Sequence, residues 1–359
     1  MRCARVATAI TAGIFASSIC LLAVSLTPLH ANDSSASMAA GGLELVKNDH
    51  VRMVSEILRI APRLVEVDYI FENTSNTDVT TEVAFPLPEI SQTAWYYSPL
   101  NIPFGKDSNV VGFRVWIDGR ELKPDREIRA FVKDHEITAD LQRLGIDPFS
   151  PDLGRPDVVD ALRRLGLIID DGVIDGKSNK GTPVADWSIR ISFHWSQTFQ
   201  AGKRVAVRHS YRPIYGNYYV KNTDSRTRVT KNSQKLGGQW CFDQSFNAAE
   251  LRLLDRQYEA AAKEKYPQLS DLQVNYENVQ YVLKTGANWQ GPIGHFEMQI
   301  KKEGADLIST CPIPGLELRR APYGFNAVAS NYTPTSNLDI LFVSGRWLGR
   351  PDGGDGPRQ

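Results

Sequence analysis

The 359-residue chain carries 41 basic and 41 acidic residues and so has no net charge at neutral pH. The charges are scattered rather than blocked, which leaves electrostatic recognition of nucleic acid or an anionic membrane nothing to work with. A hydrophobic share of 42% permits a sizeable core, and the length suggests two domains.

Residues 1–31 read as a signal peptide. Arg2 and Arg5 make a basic start, Val6 to Leu26 is an uncharged apolar run, and Pro28-Leu29-His30-Ala31 offers cleavage after Ala31. Leu29 stands where a small residue is usual, and a run of this length would also serve as a retained membrane anchor. The polar stretch Asn32-Asp33-Ser34-Ser35 favours cleavage, and Ile19 before Cys20 does not suit a lipoprotein signal. Loss of the two arginines leaves 39 basic against 41 acidic residues. No later apolar run is long enough to span a bilayer, so the expected mature chain is periplasmic or secreted, without a transmembrane segment.

After Gly41-Gly42, residues 43–60 read as one or two strands. Leu64 to Ile90 reads as a hairpin: Val65, Val67, Tyr69 and Phe71 share a face opposite Glu66, Asp68 and Glu72, then a polar turn leads to a second strand stopped at Phe85-Pro86-Leu87-Pro88. Period two with one wet face belongs to antiparallel sheets. Val110 to Ile117 is a further strand, turned by Asp118-Gly119. A helical insertion over about 134–167 follows, with Ile137, Leu141 and Leu144 on one helix face and Val159, Leu162 and Leu165 on another. Residues 187–213 read as a second hairpin, whose apolar faces meet only if Phe193 and Trp195 lie beside Val207 and His209. The alternative register would set His194 opposite His209 as a metal pair, but it splits the apolar faces.

Lys221 to Lys235 is polar throughout. A helix is expected over about 248–265, with Asn247 as N-cap, Glu250 completing a capping box, Leu251, Leu254 and Tyr258 as its stripe, and Pro267 as its stop. Strands return at Val279–Leu283, His295–Lys301, Leu307–Cys311 and Leu338–Val343, and residues 346–359 form a low-complexity tail. No internal repeat stands out. Cys3 and Cys20 leave with the signal, so Cys241 and Cys311 remain and are expected to pair in an oxidising compartment. Closing that loop would stabilise the fold by roughly 4 kcal/mol.

Three strings carry a resemblance over nearly the whole mature chain: Asn32 to Ala36 with Gly41-Gly42-Leu43, Val79 to Pro88, and Tyr281 to Ile293. With the positions of Cys241 and Cys311, they resemble the exported bacterial family known as domain of unknown function 4424. That resemblance implies an extracytoplasmic protein and brings no catalytic residue. Residues 43–215 are also similar to the vault/inter-alpha-trypsin-inhibitor type β-sandwich. The strings are Phe71-Glu72-Asn73, Phe85 to Pro88, Gly112-Phe113 with Asp118-Gly119-Arg120, and the hairpin around Ala201-Gly202-Lys203 and Tyr211. The long helical insertion departs from that pattern.

Chemistry-bearing motifs are sparse. His135-Glu136 lacks the second histidine of a zinc protease helix, and Asp170 to Gly176 lacks the ligand spacing of a calcium loop. Trp95-Tyr96-Tyr97, flanked by prolines, cannot all face one sheet and so offers a partner surface, unless the loop folds back to cap the sandwich edge. Trp289, between glycines, reads as a plug. The expectation is therefore a mainly β protein: an antiparallel β-sandwich over 32–225 with a short helical insertion, and a β-rich unit over 226–345 opened by one helix. No catalytic residue, cofactor or metal is assigned. A binding or scaffolding module for an envelope protein or glycan is preferred, with an envelope hydrolase working through dispersed carboxylates as the alternative.

Overall fold

The structure, a computed structural model, describes residues 34–39, 42–97, 100–104, 109–174, 177–221, 237–262 and 272–347. The signal-peptide reading, Pro267 and residues 348–359 of the expected tail lie outside them, whereas residues 346–347 of that tail close the strand Leu338–Trp347. The fold is mainly β, as the alternation requires.

An eight-stranded sheet runs in the order Arg319–Ala321, Gly324–Tyr332, Ile293–Lys301, Val51–Ala61, Leu64–Asn73, Arg204–Tyr211, Arg114–Ile117 and Arg120–Leu122. Its pairs are antiparallel except that Ile293–Lys301 lies parallel to Val51–Ala61, so late strands extend the sheet begun by early ones. A seven-stranded sheet faces it, with Ser188–Phe199 held between Asp125–Val132 and Val79–Pro86. Apolar parities meet between the two: Val65, Val67, Tyr69 and Phe71 are buried from one sheet, Phe85, Ile189, Ile191 and Phe193 from the other. The rings interdigitate across this core, Phe113 stacking on Phe193 at 4.7 Å and Trp195 meeting His209 edge-on at 5.5 Å.

Both expected hairpins are corrected by this arrangement. Leu64–Asn73 and Val79–Pro86 lie in opposite sheets, and so do Ser188–Phe199 and Arg204–Tyr211. The intervening turns are arches that carry the chain across the core. Trp195 and His209 do come together, but across the core from opposite sheets rather than side by side in a ladder. The two arches are tied at one end of the sandwich. The buried Asn73 amide donates to the carbonyls of Thr77 and Phe199, and Ala201 N–H donates to Asp78. Trp289, expected to plug the end of the second domain, fills the space behind this end of the sandwich instead, 4.7 Å from Phe71 and 5.9 Å from Phe199.

A five-stranded sheet forms a third layer, in the order Leu307–Thr310, Leu338–Trp347, Leu272–Tyr281, Tyr215–Lys221 and Leu100–Asn101. In Leu338–Trp347, Ile340 and Phe342 face the main core, while Leu341 and Val343 face a smaller cluster with Trp240, Phe246, Leu253 and Leu254. Burial on both faces explains the unbroken Ile-Leu-Phe-Val run. The smaller cluster is roofed by the helix Gln244–Ala262. This helix starts earlier than expected: Asp243 accepts from Phe246 N–H at 2.6 Å and caps it. Glu250 is therefore not a capping-box partner. It is buried and accepts a hydrogen bond from the Tyr276 hydroxyl instead.

The helical insertion forms as expected, with helices Thr138–Arg143 and Pro156–Arg164. Its buried face is narrower than the two expected helix faces. Leu141 and Leu162 are fully buried, but Leu144 and Leu165 are 44% and 49% exposed.

Candidate functional site

Two of the concavities among the described residues combine charge with apolar wall beside the sheets. One lies on the outer face of the eight-stranded sheet, a groove of about 660 Å³ containing Glu66, Asp68, Arg114, Trp116 and Arg208. Its charges satisfy one another. Arg208 reaches Glu66 at 2.6 Å, Arg114 bridges Glu121 at 2.7 Å, and both guanidiniums lie over the Trp116 ring. Such a ladder of exposed pairs is an ordinary solvated sheet face.

The second is an open cleft of about 330 Å³ where the five-stranded layer meets the other edge of the eight-stranded sheet. Three segments distant in sequence build it: the start of the Gln244–Ala262 helix, the edge strand Leu307–Thr310, and the hairpin Arg319–Ala321 with Gly324–Tyr332. Phe246, Leu307, Leu318 and Phe325 supply apolar walls, and Lys302 and Arg320 bring two cations to them. Lys302 spends one proton on the Asp306 carbonyl at 3.0 Å, and Arg320 lies 6.0 Å above the Phe325 ring. Gly324 has a structural reason to be glycine. Its φ is +146°, and a Cβ there would stand 2.2 Å from the Ile300 carbonyl oxygen.

The disulfide forms one edge of this cleft. Cys241 and Cys311 are joined with a Cα separation of 5.0 Å, as the count of remaining cysteines anticipates. It clasps the helix start to the edge strand, alongside Ser309 Oγ, which donates to the Trp240 carbonyl at 2.9 Å. Asp243 is the acid in the lining, and it is already committed. Donation from Phe246 N–H and the Ser245 hydroxyl holds its carboxyl below the usual range, with Arg320 adding to the effect. Behind the wall, burial raises the Asp339 carboxyl, which accepts from Trp240 Nε1 at 3.1 Å. That contact makes it part of the packing under the cleft.

The other sequence candidates are dispersed. Trp95 sits in the short helix Gln92–Tyr97, half-buried against Phe149 at 5.4 Å, while Tyr96 is 37% exposed. The Tyr97 side chain lies outside the described residues. Glu136 is paired with Arg129, which lowers its carboxyl. Asp170 binds Arg163 at 2.8 Å. His194 meets Glu82 on the seven-stranded sheet, whereas His209 is in the opposing sheet, where burial depresses its pKa to about 3. Among the described residues no group of three His, Cys, Asp or Glu side chains is placed to hold a metal ion, and no helix is long and apolar enough to cross a membrane. Sequence reading missed the cleft, because no local signal joins Phe246, Leu307 and Arg320.

Residues 31–341 match the model of the family described as Domain of unknown function (DUF4424), and the chain belongs to that family. No curated protein matches it. A solved crystal structure from Legionella pneumophila, named as a candidate nutrient binding protein, is 16% identical, covers 87% of this chain and 70% of its own, and superposes with a TM-score of 0.41. A likeness that low carries no argument about this chain.

Proposed function

We propose that this DUF4424 chain is an exported, non-catalytic binding module whose cleft beside the disulfide takes a small amphipathic anion. The apolar part of the ligand would lie on Phe246, Leu307, Leu318 and Phe325, with its carboxylate at Arg320 and Lys302. One observation carries this reading: the cleft pairs an apolar wall with two cations whose neighbouring acid, Asp243, is already bonded to its own helix. Export is supported by the reading of residues 1–31 and by the disulfide, which oxidising compartments preserve. A hydrolase acting at the same place would need a free carboxylate pair across the cleft, so binding is the better reading. The likeness to the vault type β-sandwich belongs with this proposal, resting on the sandwich and the Asp118-Gly119 turn. The aromatic triplet is a weaker partner surface, since Trp95 is committed to Phe149.

Calorimetric titration of the mature chain with hexanoate, octanoate and decanoate tests the proposal. Affinity should rise along the series, each added methylene contributing up to ~0.8 kcal/mol. Arg320→Ala should weaken decanoate binding about tenfold or more, the loss of one charge-assisted hydrogen bond of ~1.5–3 kcal/mol. Absence of saturable heat for every chain length, or unchanged binding by Arg320→Ala, would reject it.

A further inference from the structure

Although no internal repeat stands out in the sequence, the folded helical insertion contains one short unit twice, at an offset of 21 residues: Leu141, Arg143, Leu144 and Gly145 recur as Leu162, Arg164, Leu165 and Gly166. The copies end identically. Ile146 N–H donates to the Leu141 carbonyl and Gly145 N–H to that of Gln142, while Leu167 N–H donates to Leu162 and Gly166 N–H to Arg163. Both glycines are left-handed, at φ 64° and 69°, so each helix closes with the same Schellman motif. Exposure repeats residue by residue as well. In 137–146 and in 158–167 the order is two buried, one exposed, one half-buried, one buried, four exposed and one buried.

The motif accounts for Leu141 and Ile146, and for Leu162 and Leu167, which are the buried anchors. Arginine in a last turn suits the helix dipole. The leucines at the two C-cap positions are a different matter. Capping asks nothing of that side chain, and neither leucine enters the core. Instead both copies turn theirs into one cleft of about 340 Å³, lined by Asp140, Arg143, Leu144, Ala161, Arg164 and Leu165. Two exposed leucines converging on a concavity differ from singly scattered ones. The charge there is unbalanced. Arg143 pairs with Asp140, but position 161 of the second copy is alanine, and among the described residues Arg164 has no ion pair.

We propose that this paired-leucine cleft docks a segment of a partner protein that presents two apolar side chains flanked by carboxylates. A second copy of the chain is the poorer occupant, because it would set Arg143 and Arg164 against their own counterparts. The site is separate from the cleft beside the disulfide and does not depend on its ligand.

Selection of displayed random peptides on the mature chain, with depletion on the double variant Leu144→Ser/Leu165→Ser, tests this. Both leucines are exposed, so that variant should keep its disulfide, its melting temperature and its decanoate titration. Recovered peptides should share an apolar pair bordered by Asp or Glu. Their affinity should fall about tenfold or more for the leucine variant and for Arg143→Glu/Arg164→Glu, as expected when apolar anchors or a complementary charge are lost. Recovery of the same peptides by the leucine variant, a consensus flanked by Lys or Arg, or affinity indifferent to the arginine reversal would each overturn the proposal. So would a wild-type dimer in sedimentation that the leucine variant disperses, since the occupant would then be a second copy.

Discussion

The main sandwich core and the smaller cluster under the Gln244–Ala262 helix are held together by different means. The sandwich locks two sheets through rings drawn from both, with Phe113 between Phe85 and Phe193 and His209 ringed by Tyr69, Phe85, Phe113 and Trp195. Its stability comes from apolar area and close packing. The cluster of Trp240, Phe246, Leu253 and Leu254 against one face of a sheet has less to bury. It adds a covalent clasp at Cys241–Cys311 and a buried hydrogen bond from Tyr276 to Glu250. The proposed ligand cleft opens at this second region, where a staple fixes a junction that packing alone holds less firmly.

The largest expected effect is in the sandwich. Phe113→Ala should cost about 3–5 kcal/mol in denaturant unfolding, the usual range for a fully buried ring. Removing the clasp with Cys241→Ser and Cys311→Ser should cost about 2–4 kcal/mol. The loss should appear as faster hydrogen exchange in Gln244–Ala262 and Leu307–Thr310 before the sandwich strands. Equal exchange throughout would mean that the two regions are one cooperative unit and that the contrast drawn here fails.

His209 sharpens the comparison through pH. Burial lowers its pKa from 6.5 to about 3, so the folded state holds the ring neutral. Its contribution is complete above the unfolded value and is lost as pH falls from 6.5 towards 3, by about 1.4 kcal/mol per pH unit inside that window. His209→Leu should flatten this acid limb, and an unchanged limb would place acid sensitivity elsewhere. The smallest effect belongs to the outer sheet face. Arg114→Ala should leave the denaturation midpoint essentially unchanged, and a clear drop would make that face more than a solvated ladder.

How much of this is legible in the sequence depends on the range of the interaction. Alternation in Leu64–Asn73 identifies Val65, Val67, Tyr69 and Phe71 as core, because side-chain parity is a local property. Parity says which face is buried but not which strand is the neighbour. A polar link such as residues 74–78 therefore reads equally as a hairpin turn or as an arch to the opposite sheet. The parallel pairing of Ile293–Lys301 with Val51–Ala61 has no local signal either. The disulfide was accessible by counting cysteines, whereas the cleft beside it needs three remote segments folded together. The leucines at 144 and 165 fit the helical period of a core face, and only the end of each helix, one turn past its packing, leaves them outside.

The most direct test is hydrogen exchange of the chain from residue 32 onward with and without saturating decanoate. Added protection should concentrate at Ser245–Ala249, Leu307–Thr310 and Gly324–Phe325, the three walls of the cleft, and be lost in Arg320→Ala. Unchanged exchange there, or protection confined to another face, would contradict the assignment of this cleft as the binding site.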